Sequence, residues 1–168
     1  LQEQIVVRES MAWLREHRHQ KQDQPWILYA SFAHPHFPQL TARRFYERYF
    51  PCGVTAPRVG FTGDTVNHPM TVGLRTRGGG ALRGHSMDDI TEKDTIRARA
   101  AYFACVDQLD EIIGDFMALL DRDQLLENTI IVYTSDHGEL AGEHGLWWKN
   151  TWHEVQDQTT EKGVYQDQ

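Results

Sequence analysis

The chain has 168 residues, 40% hydrophobic and 24% charged, enough for one domain with a real core. A formal net charge of −7 argues against nucleic acid as the main partner, while leaving room for a small anion held by a few local cations. Its longest strongly apolar run, Trp26 to Ala33, is too short to span a bilayer, so no membrane span is expected.

Val7, Met11 and Leu14 recur at helical spacing and predict an amphipathic helix over residues 4 to 20, stopped by Pro25. Trp26 to Phe32 then reads as a buried strand. It runs into Ala33-His34-Pro35-His36-Phe37-Pro38, where two prolines forbid further ladder pairing. Thr41 to Tyr49 reads as a short helix with Thr41 at the cap position. From Phe50 to Ser86 periodicity is lost and Gly78-Gly79-Gly80 lies inside, so residues 50 to 90 read as an irregular insertion.

Thr91 to Leu120 carries the strongest helical pattern. Ile96, Ala100, Phe103, Val106, Leu109, Ile113, Phe116 and Leu120 are spaced by threes and fours, a stripe expected to pack on a sheet, with Gly114 as its weak point. Thr129 to Thr134 follows, nearly all apolar without alternation, and predicts a strand buried on both faces. Strand, helix and strand in this order imply a parallel crossover, hence an α/β fold with a mainly parallel sheet flanked by helices. Residues 1 to 154 form the predicted domain. Residues 155 to 168 are polar and read as a mobile tail.

Chemistry is expected where strands end, since ligands bind at the carboxyl edge of open parallel sheets. Asp136 and His137 offer a hard oxygen and an imidazole nitrogen at such an edge. Taken alone, the pair fits a divalent-cation site or an ordinary strand-to-loop turn. His34 and His36 fit either proton donors to a leaving group or an exposed Pro-rich loop. His144 and Lys149 fit either an anion-binding loop or a solvated lysine after Trp147-Trp148. Arg75, Arg77 and Arg83 flank the glycine run and read as a solvated loop face. Cys52 and Cys105 show no CxxC spacing, so neither a disulfide framework nor a thiolate zinc site is indicated, and one bridge stays open. The chain opens on Leu1 rather than Met and reads as a fragment, which leaves the compartment undecided.

Taken together, these pieces are far more specific. Ser135-Asp136-His137-Gly138-Glu139, then Gly142-Glu143-His144-Gly145-Leu146-Trp147, then Lys149 and Glu154, resemble the sulfatase family of the alkaline-phosphatase superfamily. Arg99, Tyr102 to Asp107, Leu109 and Gly114 resemble that family's helix before its metal strand. Ser31 to Pro38, with its Pro35-His36-Phe37-Pro38, resembles its sulfate-contacting histidine loop. The likeness covers most of residues 20 to 154 and is weakest between 50 and 90.

The resemblance implies an alkaline-phosphatase-like α/β fold, present here as an incomplete domain. It implies hydrolysis of a small-molecule or carbohydrate sulfate ester by the complete parent, in a periplasmic, secreted or lysosomal-type compartment. Asp136 and His137 match the second pair of metal ligands, usually on Ca2+, with Mg2+ or Mn2+ in relatives. His36 matches the histidine on the sulfate or leaving-group oxygen, and Lys149 the sulfate-binding lysine. His144 lies in the loop beside them and is counted with the catalytic group. The family's formylglycine nucleophile arises from a C/S-x-P-x-R motif. Cys52 is followed by Gly-Val-Thr and Cys105 by Val-Asp-Gln, so neither fits. No N-terminal strand ending in paired aspartates is present, and Asp88-Asp89 lacks a preceding apolar strand. The chain alone is therefore expected to be inactive. A phosphonate or phosphate ester hydrolase of the same superfamily, and a truncated non-catalytic binding protein, are the alternative readings.

Overall fold

The computed structural model of the chain describes residues 2–20, 24–58, 69 and 90–149. Three helices run through them: α1 (Gln2–Gln20), α2 (Arg43–Tyr49) and α3 (Glu92–Arg122). Two short 3₁₀ turns follow at Leu126–Asn128 and Glu143–Gly145. The chain divides into two compact units, one from Leu1–Arg48 and Ala101–Val132, the other from Tyr49–Ala100 and Tyr133–Gln168. The glycine run, its flanking arginines, Asp88-Asp89 and the polar tail lie outside the described residues.

In the first unit the predicted α1 stripe forms the core. Val7, Met11 and Leu14 are buried together with Ile112 and Leu120 of α3, and Trp13, Phe116 and Met117 close around them. A fully buried side chain of this kind stabilises by about 1.5–3 kcal/mol. The α1 stripe extends one step further back than its apolar residues: Glu3, four residues before Val7, is also buried, at 3% exposure. A carboxylate at the head of an apolar stripe demands a partner, because an unpaired buried charge is very costly.

α3 begins where its sequence says it should. Thr91 and Asp94 form a reciprocal cap, the Thr91 hydroxyl accepting from the Asp94 amide and Asp94 Oδ2 accepting from the Thr91 amide, each at 3.2 Å. The buried stripe keeps Ala100, Leu109 and Leu120 of the expected one, but Ala104 and Cys105 are buried in place of Phe103 and Val106, which are more than a third exposed. Small residues there let other chain segments approach closely: the Thr41 hydroxyl donates to the Ala104 carbonyl at 3.2 Å and to Gln108 Oε1 at 2.9 Å. Thr41 therefore ties to α3 instead of capping α2, whose first turn is closed by the Phe45 amide on the Ala42 carbonyl. Phe45 is the buried anchor of α2, lying under the Arg44 guanidinium, 4.0 Å from the ring centre.

The two expected strands differ most from their reading. Trp26 to Phe32 and Thr129 to Thr134 carry no ladder pairing among the described residues. In the first, burial alternates: Leu28 and Phe32 pack against the helical core, while Ile27 is 94% and Tyr29 85% exposed. In the second, Ile130 is 92% and Val132 78% exposed, so Thr129 to Thr134 is not buried on both faces. An apolar run is buried on two sides only when neighbouring strands and a layer on each face cover it. Among the described residues, α3 packs on α1 along Ile112 and Leu120. No helix among the described residues is long and apolar enough to cross a membrane.

Candidate active site

In the second unit the chain from Ser135 to Lys149 folds into two linked pieces. The first is the Asp136-His137 turn. The Ser135 hydroxyl donates to the His137 carbonyl at 2.6 Å, and the His137 amide donates to Asp136 Oδ1 at 3.0 Å. His137 Nδ1 lies 2.8 Å from the Gly138 carbonyl, an acceptor only, so Nδ1 carries the proton. The other ring nitrogen, Nε2, is 3.3 Å from Asp136 Oδ2, and the Asp136 side chain is 84% exposed. A backbone carbonyl on one ring nitrogen is the arrangement that orients a metal-binding imidazole and leaves Nε2 as the donor.

Two donors bound at right angles to one cation, each about 2.1–2.5 Å away, lie roughly 3–3.5 Å apart. The Asp136 Oδ2 to His137 Nε2 separation of 3.3 Å suits that geometry. Among the described residues no group of three or more metal-capable side chains comes together. Asp136 and His137 thus place one carboxylate oxygen and one imidazole nitrogen side by side.

The second piece is a tightly bonded loop from Glu139 to Trp148. Glu139 Oε1 accepts from the Ala141 amide at 3.1 Å and also from the Trp148 amide. Leu140 N–H donates to the Trp148 carbonyl at 3.2 Å, and Gly142 N–H to the Leu146 carbonyl at 2.8 Å. Arg99 of α3 reaches in, its Nη1 donating to the Ala141 carbonyl at 2.8 Å and to Glu143 Oε1 at 3.1 Å. Leu146 and Trp147 are buried beneath. Gly142 has φ of +93°, and a Cβ there would lie 3.0 Å from Thr95 Cγ2. The backbone of His144 forms part of the 3₁₀ turn, and Lys149, exposed, leaves the loop directly after Trp148.

The remaining expected site residues belong to the first unit. The Ala33–Leu40 turn is closed by the His36 amide on the Ala33 carbonyl at 2.8 Å. His36 is exposed, with Nδ1 2.7 Å from the Phe37 carbonyl and its ring stacked on Phe37 at 4.2 Å. Its other ring nitrogen, Nε2, takes no part in that contact. His34 is largely buried. Nδ1 lies 2.7 Å from Glu3 Oε1, in a contact bent off the ring N–H direction, and Nε2 lies 3.0 Å from the Leu40 carbonyl.

The two cysteines sit in different surroundings. Cys105 is buried, and burial, reinforced by the nearby Glu3 carboxylate, pushes its thiol up to about 11. Such a thiol stays protonated and inert near neutral pH. Cys52 is exposed, and both cysteines are free.

Sequence reasoning gave three residues no role of their own. Arg99 was legible only as part of a helix, and its grip on the loop needs the fold. Glu139 stood out only as part of the Ser135–Glu139 motif, and it accepts two backbone amides of its own loop. Glu3 could have been found from its spacing of four to Val7 and eight to Met11, a polar residue in phase with a buried stripe.

Comparison with known proteins now identifies the class. Residues 2–163 match the sulfatase family. The chain is 36% identical over 127 residues to a choline-sulfatase of Rhizobium meliloti (strain 1021), covering 74% of this chain and 23% of that protein. It is 31% identical over 144 residues to an arylsulfatase of Clostridium perfringens (strain 13 / Type A), covering 86% and 27% respectively. It is 32% identical over 130 residues to the iduronate 2-sulfatase of Mus musculus, covering 74% and 24%. The chain belongs to the sulfatase family. It spans about a quarter of the length of these relatives.

Proposed function

We propose that this chain is the metal- and sulfate-binding part of a sulfatase catalytic domain, whose complete form hydrolyses a sulfate ester of a small alcohol or carbohydrate. The observation that carries the reading is the Asp136-His137 turn, with Nδ1 of the ring fixed on the Gly138 carbonyl and Nε2 beside the Asp136 carboxylate. Calcium suits the hard carboxylate, with Mg2+ or Mn2+ as the other candidates. Bound there, a divalent cation would supply Lewis-acid stabilisation of anionic sulfate oxygens.

The protein's own groups divide the remaining work. Lys149 neutralises a sulfate oxygen as a compact charge, and the bonded Glu139–Trp148 loop limits how far its backbone can wander. His36, in the first unit, is read from the family resemblance as the histidine that contacts a sulfate or leaving-group oxygen. His144 belongs to the same loop and is assigned to the catalytic group with them. With neither cysteine in a maturation motif, the 168-residue chain is expected to bind rather than turn over.

Calcium titration of the chain followed by imidazole 15N NMR tests this. Calcium should shift His137 Nε2 weakly but saturably, Asp136→Asn should abolish the shift, and sulfate should perturb His36. A chromogenic aryl sulfate should not be hydrolysed. A His137 spectrum indifferent to calcium would overturn the assignment, and so would robust turnover by this chain.

A further inference from the structure

We infer that Glu3 is a positioning residue for the histidine loop: from the first turn of α1 it holds His34, and through His34 the turn that presents His36. The inference rests on the reading of His36 given above, and it names a residue outside every motif of that reading.

Three observations carry it. Glu3 is buried on the core face of α1, in phase with Val7, Met11 and Leu14, where an acid has no packing reason to be. Its carboxylate faces His34 Nδ1 at 2.7 Å, with side-chain exposures of 4% and 13%. The opposite nitrogen, Nε2, faces the Leu40 carbonyl at 3.0 Å, at the far end of the same loop. His34 therefore lies between helix and loop, with the Glu3 carboxylate beside one ring nitrogen and the Leu40 carbonyl, an acceptor only, taking the proton of the other. The groups around the bridge agree. Burial alone would push the Glu3 carboxyl up, yet its backbone hydrogen bond and His34 outweigh burial and hold it below the ordinary carboxylate range. Cys105, packed from α3, feels that same carboxylate.

The consequence for His36 is geometric. The loop between His34 and Leu40 is short, and its ends are joined by the Nε2 contact to the Leu40 carbonyl. With the His34 end anchored to α1, the His36 amide can stay on the Ala33 carbonyl and the His36 ring on Phe37. With the anchor lost, the His36 ring is free to leave the Phe37 carbonyl and its Nε2 loses a fixed direction.

The test compares the 168-residue chain with its Glu3→Gln, Glu3→Asp and Met11→Ala variants. Ring nitrogens of His34 and His36 are read by long-range 1H–15N NMR at mildly acidic pH, with and without sulfate. In the natural chain the His34 Nε2 proton, held by the Leu40 carbonyl, should exchange slowly. Glu3→Gln should move the His34 Nδ1 resonance and lose the His36 preference for a proton on Nδ1, and Glu3→Asp should restore part of both. Met11→Ala lies on the same stripe and should lower the melting temperature without moving either signature.

Unchanged His36 signals in a folded Glu3→Gln chain would overturn the inference, as would equal changes in Met11→Ala. If Glu3→Gln does not fold, the natural chain still decides. A His34 Nε2 proton that exchanges as freely as that of free histidine would overturn it. Sulfate gives an independent readout. A natural chain whose His36 ignores sulfate would refute the functional reading and leave the tether standing. A Glu3→Gln chain that keeps the natural His36 signals and sulfate response would refute only the tether.

Discussion

Arg99 on α3 holds Glu143 at 3.1 Å and the neighbouring Ala141 carbonyl at 2.8 Å, so one side chain joins a helix to the loop before Lys149. Both partners are mostly buried, with side-chain exposures of 11% and 27%. Removing Arg99 takes away one partner of a largely desolvated carboxylate, which also accepts from the Arg58 amide at 3.1 Å.

Arg99→Met should therefore destabilise the chain by about 2–3 kcal/mol, somewhat under the cost for a fully buried pair. Arg99→Lys should recover only part of this, because a lysine cannot present the same fork of donors to a carbonyl and a carboxylate. Urea unfolding followed by tryptophan fluorescence measures both, since Trp147 lies in the same loop. A loss under about 0.5 kcal/mol, the scale of an ordinary surface substitution, would show that the loop does not depend on Arg99.

Two glycines should respond in opposite directions to alanine. Gly114 is an exposed helix-interior residue, and a Cβ there meets nothing within 4 Å. Gly114→Ala should stabilise by about 0.5–1 kcal/mol. Gly142 has φ of +93° and a Cβ there would sit 3.0 Å from Thr95 Cγ2, so Gly142→Ala should destabilise by about 1–3 kcal/mol. Thermal melts of the two variants, side by side, check the pair.

The helices were legible in the sequence because each carries its own period. Val7, Met11 and Leu14 announce α1, and the threes and fours from Ile96 to Leu120 announce α3. Which side of α3 is buried was harder to read. Ala100 and Phe103 were both read as inward and only Ala100 is buried, while the burial of Ala104 and Cys105 follows from a close approach that small side chains allow. The strands were legible as apolar runs, but their burial was not, because a strand's cover comes from segments far away in sequence. Of the candidate site, Asp136 and His137 stood out as neighbours in the chain. The internal bonds of the Glu139–Trp148 loop were hidden, since Glu139 and Arg99 act through backbone groups that no motif spells.

Acid and alkali should unfold the first unit for different reasons. The Glu3 carboxyl is held below the ordinary range in the folded chain, so it contributes stability above the unfolded value of about 4.3. That contribution is lost as pH falls below this value and through the lower folded one. The Cys105 thiol is pushed up to about 11, so its contribution is complete below the unfolded value, about 8.5–9, and is lost as pH rises towards the folded one. Stability should be flat between these limbs as far as the two groups decide it. Glu3→Gln should weaken the acid limb and Cys105→Ala the alkaline one, each leaving the other in place. Urea midpoints across pH would separate them, and an alkaline limb unchanged in Cys105→Ala would remove the thiol as its cause.

The uncovered apolar segments should govern solubility more than stability. Ile27, Ile130 and Val132 are 94%, 92% and 78% exposed, so their side chains contribute little packing to the fold as it stands. Unpaired extended chain with outward β-branched residues invites edge-to-edge association. Ile130→Thr combined with Ile27→Thr should change the unfolding free energy by less than about 0.5 kcal/mol per site, as for other surface positions. The same pair should lower the apparent mass in concentrated solution, read by light scattering or sedimentation. Leu14→Ala is the contrasting substitution: Leu14 is buried in the α1 core, so its truncation should cost about 2–5 kcal/mol and leave association no better. If the two threonine changes cost as much as Leu14→Ala, these segments are covered in solution, and their outward faces take part in the fold.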